Sequence, residues 1–292
     1  MERFKSEDKQ TTLIYEVFDS IADLLEETDS RQINSIFNER DLKSQEVGSA
    51  NWFGTDTYQA AKELLNYGDQ YYYEKLIEEN KKIEKKIQSF FSNISNQSVV
   101  INQPVGFVPH IPNAIQNLPN SMIDRVMQPK KRKTITIIYN DAINGGTDHK
   151  VIVQAGICLL NVINALEKQG ITVRIYGTFF SSVCDSEATW GMLKLKDYNE
   201  RLSLKKLAFP LVNPAMFRRI GFRWMETQPI VTEKGFRNGY GHAEDVNYFI
   251  RNYPLAFPLD NTYYTDAKII QKEYDYSVEK LFEDIKERCA NK

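Results

Sequence analysis

The chain has 292 residues, 42% hydrophobic and 26% charged, which fits a globular protein and excludes a disordered one. A formal net charge of -2 excludes a global electrostatic pull toward nucleic acid or a membrane surface. The three cysteines, Cys158, Cys184 and Cys289, are odd in number and far apart. They form neither a disulfide framework nor a zinc motif, and they suit a reducing cytoplasm. Met1 to Thr12 has no signal-peptide core, and no apolar run approaches the roughly 20 residues that span a bilayer, so a soluble protein is expected.

Leu13 to Glu27 carries apolar residues at Leu13, Ile14, Val17, Phe18, Ile21, Leu24 and Leu25, a helical spacing with an acidic outer face. Thr28 to Ala50 is polar, with a weaker helical segment around Ile33 to Phe37. Residues 1–50 therefore read as an N-terminal helical extension. A second unit begins at Trp52-Phe53-Gly54-Thr55, where Thr55 or Asp56 caps a helix that ends at Gly68. Glu74 to Phe91 repeats the pattern, with a Glu/Lys-laced outer face. Ser92 to Gln103 reads as a polar loop, the prolines from Pro104 to Pro112 favour an extended path, and Ala114 to Leu118 suits one helical turn. Residues 51–128 thus form a helical and irregular subdomain packed on a core at 129–292.

Pro129-Lys130-Lys131-Arg132-Lys133 leads into that core. The run resembles a nuclear-import signal, could touch phosphates, or solubilises the entry to a buried strand. Thr134 to Tyr139 is a β-branched strand, Asn140 to Asp148 an acidic glycine-containing loop, Val151 to Gln169 an apolar helix and Ile171 to Tyr176 a second strand. Thr147 or Asp148 caps the helix, Gly170 ends it, and Gly156 allows close approach to a strand. Trp190 to Lys196 reads as a strand, and Ser203 to Phe209 as a capped helix. Asn213-Pro214 opens a helix through Arg219, Ile230-Val231 suggests a strand, Ala243 to Tyr253 a helix, and Tyr274 to Cys289 a closing amphipathic helix. Alternating strands and helices argue for a three-layer, Rossmann-like α/β sheet with helices on both faces.

Loops at the carboxyl ends of strands are where open α/β sheets bind ligands, so the loop after Tyr139 is the first candidate site. No phosphate-loop spacing is present there. Asp141 and Asp148 are hard oxygen donors and Thr147 adds a hydroxyl, which would suit Mg²⁺; equally, these residues only form a turn and a cap. Arg218 and Arg219 could take a phosphate or carboxylate, or pair with Glu226 and surface acids. His242, Glu244 and Asp245 form a compact polar cluster suited to a metal or a general base, or simply to a helix start. No Ser-His-Asp or Cys-His arrangement is inferable.

Strand, acidic loop, long apolar helix and second strand resemble the opening of a von Willebrand factor A-type (vWA-like) domain. That family binds a metal through D-x-S-x-S after the first strand. The resemblance places Asn140 at the Asp position and Ala142 and Asn144 at the two Ser positions, which implies a degenerate site with Asp141 as the remaining carboxylate. A second resemblance covers most of the chain after Asn51. Trp52 to Thr55, Gly106 to Pro109, Leu118 to Met122, Leu207 to Phe209, Asn213 to Phe222 and Gly239 to Gly241 are similar to successive blocks of an uncharacterised family of tailed-bacteriophage proteins.

Together these resemblances imply a phage-encoded, non-catalytic interaction or assembly protein in the cytoplasm of the infected host cell. Its degenerate vWA-like domain would dock a protein partner through Asn140, Asp141, Asn144, Thr147, Asp148, Arg218, Arg219, His242 and Glu244. The partner class suggested by analogy is an AAA+ ATPase of the MoxR type or another phage protein, with no cofactor expected. One alternative is a metal-dependent enzyme on nucleic acid or a phosphorylated substrate, with Mg²⁺ at Asp141 and Asp148. The other is a virion structural component.

Overall fold

A computed structural model of the chain describes residues 2–5, 12–35, 42–47, 50–91, 98–127, 133–182, 187–228, 243, 250–251, 253 and 261–290. Contacts group residues 1–85 with 134–292 as one unit and residues 86–133 as a second.

In the first unit the sheet is assembled from widely separated segments of the chain, and the β-α-β unit supplies two of its inner strands. Strand β6 (Thr134–Asn140) runs parallel to β7 (Thr172–Ser182) on one side and to β9 (Thr262–Asp266) on the other. Ile135, Ile137, Ile138 and Tyr139 are all buried, as a strand covered on both faces requires. Helix α6 (His149–Lys168) connects β6 to β7 and starts at Asp148, whose side chain accepts from the Lys150 amide at 3.0 Å. It ends where Gly170 takes φ +75° and the Ile171 amide reaches back to the Leu166 carbonyl at 3.0 Å. By length and composition α6 could cross a membrane, but 61% of that window is buried inside the protein.

Strand β8 (Glu187–Lys196) returns antiparallel to β7 with a register shift at Ile175/Tyr176. Beside it lies β2 (Thr12–Phe18), parallel to β8, and then β1 (Glu2–Lys5), antiparallel at the margin. The strand order is β1-β2-β8-β7-β6-β9, a mixed, parallel-dominated sheet flanked by helices. The helix expected from Leu13 to Glu27 is therefore two elements. Leu13, Ile14 and Tyr15 are buried strand residues, and helix α1 (Ile21–Ser30) begins only after Ser20, whose hydroxyl accepts from the Asp23 amide at 3.1 Å. The apolar spacing fitted both a helix and a doubly covered strand, and the Asp19-Ser20 cap separates them.

A 3-10 turn (Lys43–Gln45), α2 (Ala50–Phe53), α3 (Tyr58–Tyr67) and α4 (Gln70–Phe91) follow. The cap of α3 is Thr57 rather than Thr55 or Asp56, and Gly68 at φ +87° closes the helix as expected. Helix α7 (Leu204–Val212) packs on α6 at Gly156, where an added Cβ would stand 2.0 Å from the Leu211 carbonyl oxygen. Gly156 thus permits close approach to a helix, not to a strand. A buried π-helical turn (Met216–Gly221) runs into α8 (Phe222–Glu226).

Strand β9 escaped the sequence reading, and the closing helix proved to be two: α9 (Ala267–Tyr274) and α10 (Val278–Ala290). Asp275 and Tyr276, with φ of 50° and 55°, break the chain between them. The segments Ile230-Val231 and Gly235 to Gly241, and most of Ala243 to Tyr253, lie outside the described residues, as do residues 129–132 of the basic run.

In the second unit, β3 (Ser98–Gln103), β4 (Val108–Pro109) and β5 (Met122–Met127) form an antiparallel sheet in the order β3-β5-β4. The loop expected up to Gln103 ends instead in a strand, because Val99-Val100-Ile101 supplies a β-branched centre inside the polar flanks. The short helix α5 (Ile111–Ile115) starts earlier than the turn expected at Ala114 to Leu118, with Pro112 in its first turn, where a missing amide costs little.

Candidate functional site at the carboxyl edge of the sheet

The chain leaves β6 through nested turns that use most of the candidate side chains internally. Asn140 is buried, and its Oδ1 accepts from the Ala142 amide at 3.2 Å and from Thr178 Oγ1 on β7 at 3.4 Å. Ala142 and Ile143 are also buried. Asn144 is exposed, and its Oδ1 accepts from the Gly146 amide at 3.1 Å while its carbonyl accepts from the Thr147 amide at 2.9 Å. Asp148 caps α6 and lies 3.2 Å from His149 Nδ1. Loop geometry thus follows from Asx-type bonds that Asn and Asp make with nearby backbone.

Asp141 is the buried carboxylate of this loop. Its amide donates to the Thr178 carbonyl at 2.9 Å, and its Oδ2 is buried with no hydrogen-bond partner. A Cβ at Gly177 would stand 3.1 Å from that oxygen, so Gly177 makes the space Asp141 occupies. The Tyr139 hydroxyl is likewise buried and without a partner. Burial holds the Asp141 carboxyl well above the ordinary carboxylate range. Burial, and then the neighbouring Asp141, Asp266 and Cys158, push the Tyr139 phenol up as well.

This donor set does not fit a divalent cation held by Asp141 and Asp148. Asp141 is buried, Asn140 is turned inward, and Asp148 is engaged as a cap, so the three do not converge on one open position. Among the described residues, no group of three or more His, Cys, Asp or Glu side chains is placed to share a metal. His242 and Glu244 lie outside the described residues.

Arg218 and Arg219 connect this loop to the rest of the unit. The π-helical turn points both guanidinium groups into the interior, where Arg218 is 2% and Arg219 0% exposed. Arg218 lies over the Trp52 indole, donates to the Trp52 carbonyl, and donates to the Thr147 carbonyl at 3.2 Å. Trp52 Nε1 in turn donates to the Gly145 carbonyl at 2.9 Å. Arg219 lies over Phe53 and donates to the carbonyls of Ser44, Glu46, Thr55 and Asp56. Burial lowers both guanidinium groups, Arg218 to about 10.

The expected pairing of these arginines with Glu226 is corrected accordingly. Glu226 is buried and accepts from the Ser44 amide and hydroxyl, with Arg223 at 3.8 Å. Both buried arginines spend their terminal nitrogens on backbone carbonyls and so fasten separate segments together, while Arg219 Nε stays buried without a partner. Sequence reasoning missed Trp52 as the partner of the loop. The signal available was the pair of blocks Trp52 to Thr55 and Asn213 to Phe222, which the structure brings into contact. At Gly54 (φ +84°) an added Cβ would stand 2.1 Å from Asn213 Oδ1.

The fold and the braced loop define an α/β protein with a mixed, parallel-dominated sheet flanked by helices, compatible with a Rossmann-like fold. The chain belongs to the family described as Domain of unknown function (DUF7192), whose model matches residues 6–286. No curated protein and no solved structure matches it.

Proposed function

We propose that this is a non-catalytic interaction protein, phage-encoded and acting in the host cytoplasm, whose α/β domain docks a protein partner at the carboxyl edge of β6. The observation that carries the reading is the bracing of the Asn144 to Thr147 backbone by Trp52 and Arg218. Such bracing holds an exposed rim of Asn144, Gly145, Gly146, Asp148 and Lys150 in one shape, which favours recognition over chemistry. The β-loop-helix-β order supports a degenerate vWA-like domain as the finer description, and the sequence blocks support the phage source. By that analogy the partner is an AAA+ ATPase of the MoxR type.

The test uses the purified chain and a purified MoxR-type ATPase. A one-to-one complex is expected, and Asn144→Arg with Lys150→Glu is expected to weaken it by roughly tenfold or more without changing the circular dichroism spectrum. Absence of a complex, or equal binding by the variant, would overturn the docking site. Metal-dependent hydrolysis of nucleic acid or a phosphate ester, abolished by Asp141→Asn, would favour the enzyme reading instead.

A further inference from the structure

A cavity of about 530 Å³ opens where β2 and β8 finish. Asn140 stands beside Thr178 and Thr178 beside Met192, so the cavity residue Lys194, beside Tyr176, lies a short way along the sheet from the row that ends in the Asn140 loop. Its charged lining comprises Lys194, Lys196, Arg201 and Lys206, against Asp19 and Glu200.

These groups differ in how they are engaged. Lys196 is buried and fully used, its Nζ meeting Glu167 Oε1, the Val173 carbonyl and the Asp197 carbonyl. Lys194 pairs at 2.8 Å with Asp19, whose side chain is 82% exposed and free to yield. Glu200 accepts from the Asp197 amide at 2.9 Å. Arg201 and Lys206 are solvent-exposed at the mouth of the cavity and make no ion pair or hydrogen bond with any described side chain.

The second observation concerns α7. Its first turn holds Lys205 and Lys206 and no acid, so like charge accumulates at the positive end of the helix. Ser203, at the cap position, makes no side-chain capping bond. A segment that violates local electrostatic preference beside a cavity is accounted for when an anion fills the cavity. Leu195, Leu207 and Pro210 supply an apolar wall, and Asp19 and Glu200 are acceptors suited to hydroxyl groups. The volume lies within the range of small-molecule sites.

We propose that this cavity binds a sugar phosphate. The phosphate lies between Arg201 and Lys206 against Ser203, and the sugar lies on the apolar wall with its hydroxyls toward Asp19 and Glu200. The cavity shares no residue with the proposed docking rim, so either reading can fail alone.

The test is calorimetric titration of the full chain at low salt with ribose 5-phosphate and, separately, with inorganic phosphate. Saturable one-to-one binding of ribose 5-phosphate is expected, tighter than that of inorganic phosphate. Arg201→Glu with Lys206→Glu is expected to weaken it by roughly tenfold or more. Lys206→Glu alone is expected to weaken binding while raising the Tm of the ligand-free protein, since it puts an acid at the positive end of α7. A purely structural lysine would not give those opposite signs. No saturable heat from ribose 5-phosphate, inorganic phosphate binding as tightly as the sugar phosphate, or equal affinity in wild type and double variant would each overturn the proposal.

Discussion

The Arg218 guanidinium lies 4.3 Å from the centroid of the Trp52 indole while also donating to the Trp52 carbonyl. One side chain thus holds a tryptophan by its ring and its backbone, and with its other nitrogen holds the Thr147 carbonyl. A lysine carries the charge without the planar fork, so it cannot reproduce all three contacts. Arg218→Lys is expected to lower stability by about 2 kcal/mol through unpaired carbonyls and lost stacking. Urea denaturation measures the loss. Faster amide exchange at Gly146 and Thr147 would show that it is felt in the loop.

Gly156 and Gly170 separate two reasons for glycine. At Gly156 the obstacle is backbone, with the Leu211 carbonyl oxygen 2.0 Å from an added Cβ. At Gly170 the space is open and only φ +75° opposes a side chain. Gly156→Ala is expected to cost about 3 kcal/mol by forcing α6 and α7 apart, and Gly170→Ala about 1 kcal/mol. Thermal unfolding of the two variants should preserve that order.

Asp141 should make stability fall as pH rises. Burial raises its folded pKa above the ordinary value of 3.8, so the native state binds more proton than the unfolded chain between those two values. The penalty is absent below the ordinary value, grows as pH climbs, and is complete above the folded pKa. Asp141→Asn removes the titration. Its Tm relative to wild type is therefore expected to be higher at neutral pH than at about pH 3. A variant with the same Tm difference at both pH values would show that Asp141 does not titrate this way.

Glu16 behaves in the opposite sense. Burial pushes its carboxyl up, but hydrogen bonds from Arg31 and Trp224 outweigh burial and hold it below the ordinary range. Its stabilisation is present above the unfolded value and is lost as pH falls through the folded one. Glu16→Gln is expected to cost about 2 kcal/mol near neutral pH, with the gap to wild type narrowing in acid.

Legibility followed the length and purity of each local pattern. The unit from β6 through α6 to β7 was readable because its apolar run, Asp148 cap and Gly170 terminus all agree. Strand β9 was not, since Thr262 to Asp266 is five residues rich in tyrosine with no clear alternation. The candidate loop was placed correctly, but its chemistry was not visible. Whether Asn140 faces in or out depends on Thr178, which lies 38 residues away. Arginines are seldom fully buried, so Arg218 and Arg219 read naturally as surface charges until Trp52 and Phe53 cover them. The cavity draws on three separate stretches, at residues 19–22, 66 and 194–210, and no linear motif marks such a convergence.

Strand β2 pairs with the distant β8, Thr12 meeting Glu187 and Phe18 meeting Leu193. On a ribosome making about 5–20 residues per second, the first of these segments waits roughly 10–30 seconds for the second to be made. During that interval Leu13, Ile14 and Tyr15 have no neighbour on the β8 side, and their apolar surface is open to water or to another chain. Holding this segment unpaired until β8 has been made makes it the point at which chaperone supply should govern yield, and at which nascent copies should aggregate first.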